Sequence, residues 1–206
     1  VCLRWLAHQP PDLERAKQSV DRIVRDGSRA GEILHRVRAM AKGAPARKDW
    51  LDINETIAQT IALAGGEIQR NPISLQTTLA NDLSLVPGDR IQLQQVILNL
   101  LLNAIEAMCT VDGGQRQLLV RSQKYGLNRV LIAVQDSGTG VASESIDCVF
   151  DAFHTTKPNG MGMGLAICRS IIRAHGGRLW VTNNPHRGAT FQFTLPSDAS
   201  IARRTA

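Results

Sequence analysis

The sequence predicts an α+β protein, a two-layer α/β sandwich preceded by a fragment of an α-helical hairpin. Three observations predict it. A long helical seam occupies the first part of the chain. Helical and strand-like segments then follow one another without regular βαβ alternation, and glycine-rich loops separate the later ones. The chain has 206 residues, enough for one good-sized core plus an appendage. Hydrophobic residues make up 43% and aromatics only 4%, so aliphatic side chains must build that core.

The elements justify this order in turn. A short helix over residues 1–7 ends at Pro10-Pro11, and Asp12 is placed to cap a second helix. Leu13, Ala16, Val20, Ile23, Gly27, Ala30, Leu34, Val37 and Ala41 then alternate spacings of three and four, the seam of a helix packed along another helix. Gly43-Ala44-Pro45-Ala46 reads as a linker. Residues 50–53 suggest a short strand, and Asn54 is placed to cap a helix to about Ala64. Ile73 to Leu79 alternates as a strand, and Asp89 opens a helix through Met108. Gly113-Gly114 breaks the chain after it. Residues 118–125 and 130–135 read as paired strands around Gly126-Leu127-Asn128. A helix over 165–174 closes at His175-Gly176-Gly177, and residues 178–183 and 189–195 are the last strands. The expected organisation is therefore a partial hairpin over 1–45, a compact domain over 49–198 and a disordered tail over 199–206.

Composition excludes some classes. The net charge of +6 admits nucleic acid, a membrane surface or an anionic ligand, but much of it lies before Lys48 on a helical face that water would solvate. No nucleic-acid motif is present, and the basic residues follow no aromatic pattern, so no nucleic-acid partner is expected. Cys2, Cys109, Cys148 and Cys168 form no CxxC pair, which argues against a structural metal site or a disulfide framework and suits a reducing compartment. No apolar run reaches membrane-spanning length, and the expected location is the cytoplasm.

Three clusters carry chemistry. Asn99 and Asn103 stand one helical turn apart and interrupt a strongly apolar helix. An amide oxygen there suits a hard cation such as Mg2+; the alternative is two polar residues satisfied in a helix contact. Asp136-Ser137-Gly138-Thr139-Gly140 follows a strand directly, so the carboxylate of Asp136 is placed to accept a bond from a ligand amine; an ordinary turn is the alternative. Gly160, Gly162 and Gly164 run into a helix beginning near Leu165, where backbone N–H groups attract anions; the same run would serve as a hinge. No GKS or GKT is present, so this is not a P-loop.

In this order the three clusters resemble the N, G1 and G2 boxes of the GHKL ATPase/kinase superfamily. Phe150-Asp151-Ala152-Phe153 stands where two-component sensor histidine kinases carry their F box. Thr155-Thr156-Lys157 follows it, and Gly188-Ala189-Thr190-Phe191 resembles the family's late glycine element. The resemblance covers about residues 49–196. It implies ATP with Mg2+ as the ligand: Asp136 on the adenine amino group, Gly138 and Gly140 shaping that pocket, and Asn103 holding the metal with Asn99 assisting. It further implies a lid hinge of Gly160, Gly162 and Gly164 with Leu165, phosphate or nucleotide contacts from Thr156, Lys157 and Thr190, and Phe150 and Phe153 packing the lid base. The implied reaction moves the ATP γ-phosphoryl to a histidine and thence to a response-regulator receiver aspartate, in a homodimer joined through the hairpin.

Two departures matter. Hydrolases of the superfamily carry a glutamate where Asn99 stands, and an amide is no general base, which favours kinase over ATPase. The family's phosphoacceptor reads His-Glu or His-Asp in the first hairpin helix. His8 precedes Gln9-Pro10-Pro11 and His35 precedes Arg36 in the return helix, so the acceptor is expected upstream of Val1.

Overall fold

Asp52, not Asn54, decides where the first long helix begins. In the computed structural model its carboxylate accepts from the Asn54 and Glu55 N–H groups at 2.8 and 3.3 Å. The Asn54 side chain is engaged elsewhere. Its amide donates to Ala80 O at 2.8 Å, and its carbonyl accepts from the Ser122 hydroxyl at 2.6 Å. Those partners occupy the expected cap, Asn54, and Asp52 serves in its place.

The structure describes residues 4–5, 11–15, 17–20, 49–111, 113–155 and 162–198. The chain divides into two units, Val1–Pro45 and Ala46–Ala206. In the first, Asp12 caps as expected, accepting from the Arg15 N–H at 3.0 Å, and Leu13 and Val20 of the seam are exposed. His8, His35 and most of the seam lie outside the described residues.

The second unit runs β1 (Asp49–Leu51), α1 (Ile53–Arg70), β2 (Ile73–Leu79), β3 (Val86–Gly88), α2 (Arg90–Cys109), β4 (Arg116–Lys124), β5 (Arg129–Asp136), α3 (Gly164–Ala174), β6 (Arg178–Asn183) and β7 (Ala189–Pro196). A 3-10 turn at Ser143–Ser145 lies between β5 and α3. Five strands form one sheet in the order β2-β4-β5-β7-β6, with β2 parallel to β4 and the other pairs antiparallel. β1 and β3 make a separate pair. This is the expected two-layer sandwich, with α1, α2 and α3 covering one face of the sheet.

Period-two alternation chooses that face. Leu118 and Val120, Val130, Ile132 and Val134, and Phe191, Phe193 and Leu195 point to the helices and are buried. α2 meets them with a stripe from Leu93 to Met108, eight buried side chains, broad because the helix packs on α1, α3 and the sheet at once. The chain stays bonded past the last strand: Ser197 N–H donates to Asn128 O at 3.0 Å and Asp198 N–H to Leu85 O at 3.1 Å. The expected tail, 199–206, lies outside the described residues.

α1 continues six residues beyond the expected Ala64, through Gly65-Gly66 to Arg70, because burial of Ala64 and Ile68 outweighs two poor helix formers. Gly66 is exposed, and an added Cβ would meet nothing within 4 Å. Gly66→Ala is expected to raise stability by about 0.5–1 kcal/mol in urea unfolding.

Buried His175 ties the end of α3 to the start of α2. Its Nδ1 lies 2.8 Å from Ile171 O, and its Nε2 accepts from the Asp89 N–H at 3.0 Å. Those partners fix a neutral ring protonated at Nδ1.

Candidate nucleotide site

Asn99, Asn103 and Ala107 form one line along α2, each a turn from the next. At one end of the line Asn99 meets the start of α3. A Cβ on Gly164 would lie 2.8 Å from Asn99 Nδ2, so any larger residue would have to displace the Asn99 amide. The Asn99 amide also donates to Cys168 Sγ at 3.1 Å. At the other end, a Cβ on Gly138 would lie 2.7 Å from the Ala107 backbone. From Asn99 to Ala107 is about 12 Å along the axis, at 1.5 Å per residue. Asn103 is half-buried midway.

Asp136 closes the Gly138 end. It is buried at the tip of β5, and its Oδ1 accepts from the Gly138 N–H at 2.8 Å and the Ala189 N–H at 3.3 Å. Burial pushes this carboxyl above its ordinary range, and the two N–H donors pull it partly back. Gly188 is what allows the approach. With φ at +85°, it leaves no room for a Cβ, which would lie 2.0 Å from Asp136 O.

The Asn99 end is an anion-favouring terminus. α3 starts at Gly164, beside Asn99, with no acidic residue in its first turn, and its first N–H groups have no side-chain cap. Leu165 packs its half-buried side chain against the core, leaving its backbone to that first turn. Just before it, Gly162 has φ at +64° and accepts from the Phe153 N–H at 3.0 Å, tying together the flanks of the intervening segment. Thr156, Lys157 and Gly160 belong to that segment and lie outside the described residues.

Two expected placements are corrected. Thr190 does not join Asp136. Its side chain lies on the opposite sheet face, in a depression of about 190 Å³ that Leu131, Ala133 and Gln192 also line. Strand alternation explains it: position 189 shares the inner face of Phe191 and Phe193, and position 190 cannot. That pattern was available in the sequence. Phe153 is exposed at positive φ rather than packed, because its backbone is committed to Gly162. Phe150 does pack, edge-on to Phe191 with ring centroids 6.2 Å apart. Gly140, at φ +74°, lies where its loop meets Asn183, whose amide both donates to and accepts from the Val141 backbone, at 2.7 and 2.8 Å.

Sequence reasoning missed Asn183, Asn184 and Arg187. Asn184 donates to Asp136 O at 2.8 Å, and Arg187 Nε to Gly138 O at 3.3 Å. A polar turn between two strands offered no signal of contacts more than 40 residues away.

Cys168 is fully buried beside Asn99, and desolvation pushes its thiol up to about 12. Iodoacetamide at neutral pH is expected to label exposed Cys109 and spare Cys168 until denaturant is added. Equal labelling in the native protein would contradict the packing at Asn99.

A buried carboxyl, a line of amides and an uncapped helix start lie along one face of α2 in a two-layer sandwich, an arrangement suited to a nucleotide. Residues 88–199 match the family described as histidine kinase-, DNA gyrase B-, and HSP90-like ATPase, and the chain belongs to that family. It is 37% identical over 194 residues to the sensor histidine kinase TmoS of Ectopseudomonas mendocina, covering 94% of this chain and 20% of that protein. It is 36% identical over 187 residues to the sensor protein FixL of Bradyrhizobium diazoefficiens, covering 91% and 37%. The chain thus spans a fifth to somewhat over a third of these relatives. Among solved structures, the catalytic domain of histidine kinase ThkA superposes with a TM-score of 0.65 at 32% identity, covering 73% of this chain and 95% of that one. ThkA in complex with the response regulator protein TrrA gives 0.73 at 28% identity, covering 95% and 55%.

Proposed function

We propose that this chain is the ATP-binding catalytic part of a sensor histidine kinase. The observation that carries the reading is the line of Asn99, Asn103 and Ala107 along α2, with the Asp136 loop meeting one end and the start of α3 the other. The adenine amino group donates to Asp136, and the triphosphate lies toward the first N–H groups of α3. Mg2+ suits this line only in company with ATP. Among the described residues no cluster of three His, Cys, Asp or Glu side chains is present to hold a metal, so phosphate oxygens supply most ligands and Asn103 adds an amide oxygen. Lys157 adds positive charge against the phosphates.

In the reaction, a neutral histidine nitrogen attacks the γ-phosphorus, an N–P bond forms, the bond to the β-phosphate oxygen breaks, and ADP leaves. The phosphoryl group then passes to an aspartate on a response-regulator receiver domain. Asn99 cannot deprotonate water, which limits the competing hydrolysis. The reading includes a cytoplasmic location and a homodimer joined through the hairpin. The exposure of Leu13 and Val20 supports a seam that awaits a second helix.

The test offers γ-labelled ATP to this chain and to a version extended upstream by a helix bearing His-Glu or His-Asp. Acid-labile, base-stable label is expected on the extended version alone. Brisk phosphate release by this chain, lost in Asn103→Ala, would make it a hydrolase instead. Label on this chain, lost on replacing His8 or His35, would relocate the acceptor.

A further inference from the structure

Thr190 donates its hydroxyl proton to Asn184 Oδ1 at 2.6 Å. Asn184 Nδ2 in turn donates to Asp136 O at 2.8 Å and to Arg187 O at 3.2 Å. We propose that Thr190 and Asn184 are a positioning pair that sets Asp136 for the nucleotide base from the far side of the sheet. The inference rests on the reading of Asp136 as the adenine acceptor.

Amide chemistry makes the pair directional. An asparagine side chain has a donor end and an acceptor end that differ little in shape. With its donor end toward Asp136 O and Arg187 O, Asn184 satisfies two carbonyls. Flipped, it would set its own oxygen against both. The two carbonyls select this orientation, and the Thr190 hydroxyl holds the amide in it by donating to Oδ1. The turn is fastened as well by Asn184 N–H donating to Gly188 O at 2.9 Å, by Asn183 on both sides of Val141, and by Arg187 on Gly138 O. One turn therefore grips the base-pocket loop at residues 136, 138 and 141. Gly188, in the same turn, allows Ala189 to present its N–H to the Asp136 carboxylate. A shift of Asp136 by a fraction of an ångström would misdirect its acceptor while leaving the start of α3 untouched.

The experiment compares Thr190→Val, Thr190→Ser, Asn184→Asp and Asp136→Asn by calorimetric titration of this chain. Two probes are used: Mg-ATP, which engages both ends of the line, and Mg-tripolyphosphate, which engages only the phosphate end. Thr190→Val is expected to weaken ATP about 3- to 10-fold, the worth of one neutral hydrogen bond. Thr190→Ser is expected to restore affinity, and Asn184→Asp to weaken ATP at least as much as Thr190→Val, since a carboxylate would face the Asp136 carbonyl. Tripolyphosphate affinity stays constant throughout. Equal ATP affinity in Thr190→Val and the unaltered chain, with Asp136→Asn impaired, overturns the pair alone. Parallel loss of tripolyphosphate binding, or no rescue by serine, overturns it too, as a general structural effect. Undiminished ATP binding in Asp136→Asn would remove the adenine assignment and this inference with it.

Discussion

Asp136→Asn is expected to weaken ATP binding about 10- to 150-fold, the span of a charge-assisted hydrogen bond worth roughly 1.5–3 kcal/mol. Stability is expected to hold or rise, and that combination is the diagnostic. Burial raises the Asp136 carboxyl above 3.8 in the folded domain. A group with a raised folded pKa contributes stability that is present below its unfolded value and lost as pH rises through the folded one. At neutral pH burial of Asp136 is therefore a net cost to folding, and asparagine removes it while its Oδ1 still accepts from Gly138 and Ala189. Urea titrations at pH 7 and below 3.8 check the sign: any advantage of the variant belongs to pH 7 and disappears in acid. Ligand binding should show the mirror image. A protonated carboxyl is a poorer acceptor, so the ratio of unaltered to variant ATP affinity falls as pH drops through the raised value. Taking the ratio cancels titration of the phosphates, which both proteins see alike. A variant that loses stability and affinity together at pH 7 would mean that the carboxylate holds the fold rather than the base.

Gly188→Ala is expected to cost about 3–5 kcal/mol of stability and most of the ATP affinity. The added Cβ would sit 2.0 Å from Asp136 O and 2.9 Å from its Oδ1, at a φ of +85°. Strain from the left-handed backbone accounts for only about 1–2 kcal/mol of this. The rest comes from pushing aside the backbone of Asp136, which ends the central strand and is held by Asn184. Gly126 separates the two contributions. It has φ at +65°, but a Cβ there meets nothing within 4 Å. Gly126→Ala should therefore lose only the backbone share, with ATP binding unchanged. Equal losses of stability and affinity in the two variants would show that conformational strain, not the approach to Asp136, gives Gly188 its importance.

Much of the site was legible because its chemistry is local. Asn99 and Asn103 are conspicuous as amides in an apolar helix, and helical periodicity alone puts them on one line. Asp136 is conspicuous as a carboxylate ending a buried strand. Gly164 stood out in a glycine run, although the reason for it, the Asn99 amide 2.8 Å from where a Cβ would be, belongs to a helix 65 positions earlier. Asn184 was not legible at all. Nothing near it in the chain distinguishes it from any turn asparagine, and its value lies in reaching a carbonyl 48 positions away.

The sequence by itself determined what depends on neighbours along the chain: the helices and strands from their periods, the cap at Asp12, the break at Gly113-Gly114 and the order of the three clusters. Tertiary structure alone decided what depends on partners. It chose Asp52 over Asn54 as a cap, because Ser122 and Ala80 claim the asparagine. It carried α1 through Gly65-Gly66, because Ala64 and Ile68 find a core to enter. It also gave Thr190 to Asn184, because the pairing of β6 with β7 folds the turn asparagine back to position 190. Local patterns fix a backbone's preferences within a few residues, whereas the identity of a hydrogen-bond partner is fixed only once the sheet has brought distant segments together.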